Sequence, residues 1–120
     1  MTAAEKSVHA VIVRPRIYIG DAISLGPGKI DLLRAICEKN SISAAARSLE
    51  IPYKKAWLLV SSLNDGFGRP VVMAAKGGKG GGGAVLTQLG TDILERYEAL
   101  EVCINREAAA ELDALRALAE

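Results

Sequence analysis

Residues 41–63 read SISAAARSLEIPYKKAWLLVSSL and predict two helices separated by a tight break. Ser43 can cap the first, short helix, whose alanines allow close packing against a neighbouring helix. That helix ends at Ile51, because the residue before a proline is pushed out of the α region, and Pro52 can open the next helix. The second helix has apolar residues at helical spacing, Ala56, Leu59, Val60 and Leu63. A short helix, a break and a second helix with a basic first turn form the pattern of a helix-turn-helix.

The chain before this stretch predicts an extended segment followed by one helix. Residues 10–19 are rich in β-branched side chains and precede a Gly-Asp pair, so they predict a strand, which Pro15 confines to a sheet edge or breaks. Apolar residues at helical spacing then predict a helix over residues 28–39, with Asn40 as its stop.

The chain after residue 64 predicts a β-hairpin and a long helix. Residues 69–75 form a short extended run, residues 76–83 are a tip rich in lysine and glycine, and residues 84–87 return as a second strand. Thr87 can cap a helix over residues 88–118. The apolar stripe of this helix consists of Ile93, Tyr97, Leu100, Ile104, Ala108, Leu112 and Leu115. The expected fold class is mostly α with a small β wing, a winged helix-turn-helix with a long C-terminal dimerisation helix.

These elements are expected to form one domain over residues 1–120. A chain of 120 residues has room for one hydrophobic core, and because only five residues are aromatic, that core must be aliphatic. The expected parts are an N-terminal strand region (1–26), helix 1 with the helix-turn-helix (27–64), the wing hairpin (69–87) and the C-terminal helix (88–118).

The charge of the chain is unevenly distributed, although its formal total is only +1. Residues 29–79 carry nine Lys or Arg against four Asp or Glu, whereas residues 90–120 carry three against eight. The middle of the chain is therefore suited to a polyanion and the C-terminal part is not. A near-neutral total does not argue against nucleic-acid binding, because the local field decides.

The scarcity of His and Cys excludes several classes of site. One histidine (His9) and two cysteines (Cys37 and Cys103) cannot build a zinc site or a disulfide framework, and we expect both cysteines to be buried free thiols. No side chains stand out as an acid–base or nucleophile–base pair, so we expect no enzyme, catalytic residue, metal or cofactor. No apolar run has the length of a membrane span, and the N-terminus lacks the layout of a signal peptide. We therefore expect a cytoplasmic, nucleoid-associated protein with no membrane partner.

The second helix of the pair carries the side chains best suited to DNA. Lys54 and Lys55 lie in its first turn, where a recognition helix meets base edges and phosphates in the major groove, or they form a solvated surface pair. The hydroxyl of Tyr53 is a candidate phosphate contact, whereas Trp57 is expected in the core or half-buried against it. Arg47 either faces a phosphate or is solvated. The face opposite the apolar stripe presents Lys54, Lys55, Leu58, Ser61 and Ser62.

The glycine-rich segment 76–83 has a functional and a structural interpretation. Its match to G-x-G-x-x-G carries little weight, because a run of glycines satisfies any glycine spacing, and the pattern of a Walker A loop is not met. The segment is either a solvated loop or a wing tip that brings backbone and lysines close to DNA phosphates. The entropy cost of ordering so many glycines favours the wing. Its candidate DNA-binding residues are Lys76, Gly77, Gly78, Lys79 and Gly80.

Several of these motifs resemble the N-terminal DNA-binding domain of the ModE family of molybdate-dependent transcriptional regulators. The stretches concerned are Ser41-Ile-Ser-Ala-Ala-Ala-Arg47, Tyr53-Lys-Lys-Ala-Trp57, Asn64, Arg69-Pro-Val-Val72, Lys76-Gly-Gly-Lys-Gly-Gly-Gly-Gly-Ala84, and Leu86-Thr87 through Gly90. The resemblance covers roughly residues 25–100. It implies a winged helix-turn-helix related to that of LysR-type regulators.

Two departures limit what this resemblance implies. The family commonly has Ser where this chain has Pro52, which offers neither a hydroxyl nor an N–H to a phosphate. Full-length members also carry C-terminal molybdate-binding domains, for which these 120 residues have no counterpart. The resemblance therefore implies a single-domain form with the DNA-binding half alone and no cofactor.

The sequence thus predicts a sequence-specific transcriptional regulator that binds double-stranded DNA as a homodimer. Its recognition helix would lie in the major groove and its wing on the backbone or in the minor groove. The alternative is a winged-helix module that binds another protein without specific DNA binding. The sequence pattern does not identify an effector or a separate effector-binding protein. The predicted DNA-binding residues are Ser43, Arg47, Tyr53, Lys54, Lys55, Lys76, Gly77, Gly78, Lys79 and Gly80.

Overall fold

The computed structural model describes residues 11–75 and 83–120, which contain four strands and five helices. The strands are β1 (Ile17–Ile19), β2 (Ile23–Leu25), β3 (Val72–Ala75) and β4 (Gly83–Leu86). The helices are α1 (Pro27–Lys39), α2 (Ile42–Ser48), α3 (Tyr53–Phe67), α4 (Gln88–Glu107) and α5 (Ala109–Ala119). The order and type of these elements confirm the predicted winged helix-turn-helix fold, with α2 and α3 as the helix pair.

The core lies between α1, α2, α3 and the first half of α4, and except for Tyr97 it is aliphatic. Ile30, Leu33 and Ile36 on α1 are fully buried. Burying such a side chain contributes about 1.5–3 kcal/mol. Tyr97 is the one aromatic side chain buried within the described ranges, and desolvation raises the pKa of its hydroxyl. The other buried apolar residues are Leu25, Leu32, Ala35, Ala45, Ala46, Ala56, Val60, Leu63, Val71, Val72, Ala84, Ile93 and Leu94.

The N-terminal strand is shorter than the predicted 10–19. β1 pairs antiparallel with β2, a strand that the sequence pattern did not predict, and Ile17 lies opposite Leu25. Residues 11–16 form no strand. Pro15 has no N–H to give to a ladder, which explains why pairing begins only after it.

Residues 11–16 are instead held against α4 by side chains. The amide of Asn105 accepts a hydrogen bond from the N–H of Val13 at 2.7 Å and donates one to the carbonyl of Val13 at 2.9 Å. The hydroxyl of Tyr97 donates to the carbonyl of Pro15. α4 thus carries a second layer of chain besides the core, held at Tyr97 and at Asn105 in its last turn.

The wing is a two-stranded sheet attached to the start of the helix pair. β3 and β4 pair antiparallel, with Val72 opposite Leu86. The N–H of Ala84 donates to the carbonyl of Asn40 at 3.0 Å, which ties β4 to the chain between α1 and α2. The predicted tip falls largely on residues 76–82, which lie outside the described residues.

The helix predicted over residues 88–118 is divided in two. α4 ends at Glu107 and α5 begins at Ala109, and between them Ala108 has a ψ of 6°. Helical hydrogen bonds continue on both sides, since the N–H of Ala108 donates to Ile104 at 2.8 Å and its carbonyl accepts from Leu112 at 2.9 Å. Three consecutive alanines give no sequence signal for this division. No residue of α5 is buried.

The two cysteines do not lie in the core, contrary to the prediction. Cys37 and Cys103 are both exposed. On α1 the core position is filled by the fully buried Ile36, and its neighbour Cys37 falls on the flank of the apolar face. One residue along a helix is a rotation of about 100°, which is enough to leave the core.

Candidate nucleic-acid interface

The turn between α2 and α3 holds the two helices close together. Ala45 and Ala46 on α2 and Ala56 on α3 are buried, and their short side chains allow this close approach. The N–H of Ile51 donates to the carbonyl of Ala46 at 3.0 Å and closes the turn. Glu50 in the turn has a φ of 57°, in the left-handed region that glycine occupies more readily.

Ser41, rather than Ser43, caps α2. The Oγ of Ser41 accepts a hydrogen bond from the N–H of Ala44 at 3.0 Å. Ser43 is exposed, and its Oγ accepts from Nη1 of Arg47 at 3.3 Å. Two of the predicted DNA-binding residues, Ser43 and Arg47, therefore lie side by side on the exposed surface of α2.

The first turn of α3 faces solvent and carries positive charge. Tyr53 is 54% exposed, and Lys54 and Lys55 are also exposed. Pro52 is the N-cap and makes no side-chain cap, and the first turn contains no acidic residue. The unpaired N–H groups of this turn and the helix dipole add to the charge of the lysines. The surface favours an anion.

Lys54 and Lys55 point to different sides of α3. Lys54 lies one turn before Leu58, on the side away from the core. Lys55, rotated by about 100°, borders a hollow of about 160 Å³ between α1 and α3 together with Asp31 and Leu59. The two lysines, predicted jointly as groove contacts, would reach different parts of a ligand.

The exposed surface of α3 is partly apolar. Trp57 is 50% exposed, which excludes a core position and leaves half-buried packing, the other expected placement. Leu58 is 54% exposed. The core-facing positions of this part of the helix are taken by Ala56 and Val60. The surface that would face a ligand thus combines lysines with aromatic and aliphatic side chains.

Asn64 joins α3 to the wing, a contact that sequence reasoning missed. Its Oδ1 accepts hydrogen bonds from the N–H groups of Val71 at 2.8 Å and Val72 at 3.3 Å. The helix expected to end at residue 64 continues to Phe67 and stops at Gly68, which has a φ of 71°. The available signal was an asparagine shortly before the extended run 69–75.

Gly90 and Thr87 fix the other side of the wing. A Cβ on Gly90 would lie 2.3 Å from the carbonyl oxygen of Val71, so only glycine fits there. Thr87 caps α4 as predicted, since its Oγ1 accepts from the N–H of Gly90 at 3.1 Å. The same hydroxyl donates to the carbonyl of Pro70 at 2.8 Å. The base of the wing is therefore held by both α3 and α4.

The tip residues predicted to bind DNA are outside the described residues. They are Lys76, Gly77, Gly78, Lys79 and Gly80. The strands that lead to them are described, and Met73 on β3 is 51% exposed.

Some of the positive charge of residues 29–79 is used within the fold. Arg34 contacts Glu98 on α4 at 2.9 Å and Asp31 at 3.1 Å. Desolvation lowers the pKa of the Arg34 guanidinium. The hydrogen bond and charge of Glu98, with the charge of Asp31, raise it by more, so the pKa lies above its ordinary value. Arg34 therefore ties α1 to α4.

Lys29 is also engaged within the protein. Its Nζ donates to the carbonyl of Ser24 at 2.8 Å. Burial, and to a lesser degree repulsion from Arg16, lowers the pKa of its amine. Among residues 29–75, which the structure describes, the exposed basic side chains are Lys39, Arg47, Lys54, Lys55 and Arg69.

Residues 11–75 and 83–120 offer neither a membrane span nor a cluster of metal ligands. None of the helices in these ranges is long and apolar enough to span a bilayer. Nor do three His, Cys, Asp or Glu side chains come together there in a group that could hold a metal ion.

The sequence is similar to several proteins named for molybdenum or its regulation. It is 48% identical over 82 residues to the molybdenum-pterin-binding protein MopB of Rhodobacter capsulatus, which covers 68% of this chain and 30% of MopB. MopA of the same organism is 38% identical over 82 residues, or 68% of this chain and 31% of MopA. The DNA-binding transcriptional dual regulator ModE of Escherichia coli K12 is 42% identical over 74 residues, or 62% of this chain and 28% of ModE.

The chain thus matches less than a third of the length of these relatives. No protein-family model matches it.

The fold is similar to that of LysR-type DNA-binding domains. The crystal structure of a CbnR_DBD–DNA complex has a TM-score of 0.56 at 20% identity, covering 78% of this chain and 97% of that one. The full-length LTTR LysG of Corynebacterium glutamicum with bound effector Arg has a TM-score of 0.56 at 22% identity, covering 75% and 29%. At such identities the likeness concerns the fold alone. With the sequence matches it confirms the predicted resemblance: this chain is similar in sequence to ModE, MopA and MopB, and its winged helix fold is similar to that of LysR-type DNA-binding domains.

Proposed function

We propose that this chain is a DNA-binding transcriptional regulator that places α3 in the major groove of double-stranded DNA. The observation that carries the proposal is the exposed first turn of α3, in which Tyr53, Lys54 and Lys55 surround an uncapped helix N-terminus. The name of ModE as a transcriptional regulator and the DNA complex of CbnR_DBD support it. None of the three relatives is named as an enzyme, which favours a binding role.

Within this proposal the two lysines of α3 have different tasks. Lys54, on the side away from the core, reaches base edges in the groove. Lys55, which borders the hollow towards α1, reaches a phosphate. The hydroxyls of Tyr53 and Ser43 and the guanidinium of Arg47 add phosphate contacts, because all three are exposed near the start of the helix pair or of α3.

The wing would supply a second set of contacts. We assign Lys76, Gly77, Gly78, Lys79 and Gly80 to the phosphate backbone or the minor groove beside the site of α3. The anchoring of the strands by Asn64 and Gly90 supports this assignment, because a tip on a fixed base can be held against DNA.

We further propose that the regulator is a homodimer joined through the end of α4 and through α5. Leu100, Leu115 and Leu118 are 36%, 57% and 83% exposed, and no residue of α5 is buried. A second copy would cover this apolar surface. A two-fold dimer presents two recognition helices to the two half-sites of a symmetric operator. A regulator of this kind acts in the cytoplasm, on the nucleoid.

Binding to duplex DNA across a salt series tests the DNA-binding proposal, first with random duplexes and then with a site selected from a random pool. We expect log affinity to fall linearly with log salt, because phosphate contacts release counterions. Lys55→Ala should flatten the slope by about 0.9 per monomer and weaken all sequences alike. Lys54→Ala should instead erode the preference for the selected site, by about 1–3 kcal/mol for each base edge that is no longer bound.

Arg106→Ala is the matched control, because Arg106 is an exposed basic residue on the acidic C-terminal part of the chain. It should change neither the slope nor the preference. Failure of the unaltered protein to bind duplex DNA at low salt would contradict the proposal. That result would favour a winged-helix module that binds another protein.

A further inference from the structure

We propose that Leu58 reads the 5-methyl group of a thymine in the major groove, with Trp57 extending the apolar surface beside it. The inference rests on the DNA-binding function proposed above and deepens it by naming a base that α3 recognises. It assigns a role to an apolar residue on a surface whose other candidate contacts are polar or charged.

The position of Leu58 on α3 is the first observation. Leu58 is 54% exposed, and Lys54 one turn before it and Ser62 one turn after it are exposed on the same side. The core-facing residues Ala56 and Val60 lie on the other side of the helix. If α3 enters a groove with its exposed side, Leu58 lies near the middle of the contact.

The surroundings of Leu58 give no reason for an apolar residue there. Its neighbours around a shallow surface hollow are Ala22, Ser61, Ser62, Asp65 and Gly66. By contrast, the next residue, Leu59, is partly buried against the core. An exposed leucine beside two serines and an aspartate is explained if an apolar group of a partner covers it.

The chemistry of the major groove supplies one such group. Base edges there present hydrogen-bond donors and acceptors, which leucine cannot pair with, and the methyl group of thymine, which it can cover. Trp57, 50% exposed on the adjoining flank, can shield the same contact from water.

The spacing to Lys54 narrows the site further. Four residues span about 6 Å along a helix axis, and base pairs are about 3.4 Å apart along one strand. Lys54 and Leu58 would therefore read base pairs one or two steps apart. Lysine suits the O6 and N7 acceptors of guanine, so the selected operator should contain a guanine within two steps of the thymine.

Uracil substitution tests the inference at the level of one methyl group. Each thymine of the selected operator is replaced in turn by uracil, which removes only the methyl and keeps the base pair. We expect one thymine per half-site to be sensitive, with affinity falling about fourfold, the equivalent of exposing one buried methyl. Leu58→Ala should weaken binding to the thymine duplex, so that this variant binds the thymine and uracil duplexes with equal affinity. Leu58→Met, which keeps an apolar side chain of similar size, should retain the discrimination.

Ile12→Ala is the control, because Ile12 is 65% exposed on the segment before β1 and lies outside the helix pair. It should leave the thymine–uracil ratio unchanged. Equal affinity for thymine and uracil at every position, with DNA binding intact, would overturn the inference and leave the proposed function standing. A thymine–uracil ratio that survives Leu58→Ala would overturn it too, as would unchanged DNA affinity in that variant, which would assign Leu58 to a protein partner. Loss of all duplex binding by the unaltered protein would refute the proposed function itself.

Discussion

α3 and the α4–α5 pair both expose apolar residues, but on different sides relative to the core. On α3 the buried residues Ala56, Val60 and Leu63 form one face, and the exposed Leu58 lies on the other. Along α4 and α5 the exposed Leu115 continues the same stripe that is buried upstream at Ile93 and Tyr97. On α3 a different face is already buried in the core, so the exposed apolar residue indicates contact with a partner other than a second copy of the chain. On α4 and α5 the apolar stripe continues beyond the residues that the core buries, which indicates that the same surface of a second copy covers the rest.

The largest effect is expected from substitutions in α5, where the apolar stripe is no longer buried in the core. Leu115→Glu combined with Leu118→Glu should convert the proposed dimer to a monomer, raising the dissociation constant about 100-fold or more, because carboxylates would be buried without partners. Both leucines are exposed in the single chain, at 57% and 83%, so the substitutions should leave folding of the monomer nearly unchanged. Sedimentation at micromolar concentration measures the state, and thermal unfolding measures the fold.

Val102→Glu is the matched control for this experiment. Val102 is 64% exposed and lies nine residues after Ile93, which is two and a half turns and places it on the opposite side of α4. It should leave the dimer intact. If the unaltered chain were monomeric at micromolar concentration, the proposed dimer would be wrong and the exposed apolar residues of α5 would not mark a contact with a second copy.

A smaller but still large effect is expected where α4 meets the wing. Gly90→Ala places a Cβ 2.3 Å from the carbonyl oxygen of Val71, so α4 or β3 must shift. We expect the free energy of unfolding to fall by about 1–3 kcal/mol, as for other overpacked sites. Gly28→Ala on α1, where nothing lies within 4 Å of the added Cβ, should instead be neutral or stabilising by up to about 1 kcal/mol. Equal unfolding curves for the two variants would show that the first half of α4 is not tightly packed on the wing.

The elements that the sequence predicted well are those with strong local punctuation. Asn40 ends α1 in the left-handed conformation that allows asparagine to act as a stop, and Pro52 marks the start of α3. The elements that it missed carry no such local signal. β2 has only three residues, too few for a periodic pattern, and Ala108 divides the C-terminal helix without any helix-breaking residue.

The candidate site was predicted only where a local sequence signal places its residues. Helical periodicity placed Lys54 on the exposed side of α3, because the apolar stripe of that helix is regular. It did not separate Lys54 from Lys55, although a rotation of about 100° per residue already implies that they diverge. The role of Asn64 depends on where β3 returns to α3. Helical periodicity relates residues three or four apart along the chain, so it does not predict this contact.

The smallest effect is expected in the turn that orients α3. Glu50 adopts a φ of 57°, and a residue with a side chain is strained there by about 1–2 kcal/mol relative to glycine. Glu50→Gly relieves that strain but adds freedom to the unfolded chain, which offsets about 0.4–1 kcal/mol of the gain. We therefore expect the free energy of unfolding to rise by about 0.5–1 kcal/mol.

Glu50→Ala separates the backbone from the charge, because it removes the carboxylate and keeps the strained conformation. Glu50 is exposed and stands three residues before Tyr53, at the start of the positive turn of α3, so both variants remove a negative charge near the proposed phosphate contacts. Both should therefore raise DNA affinity to the same extent, whereas only Glu50→Gly should raise the melting temperature. If Glu50→Ala stabilised the protein as much as Glu50→Gly, the turn would be limited by charge rather than by backbone conformation. The orientation of α3 would then depend less on this one residue than the geometry indicates, since the hydrogen bond from Ile51 to Ala46 would hold the turn alone.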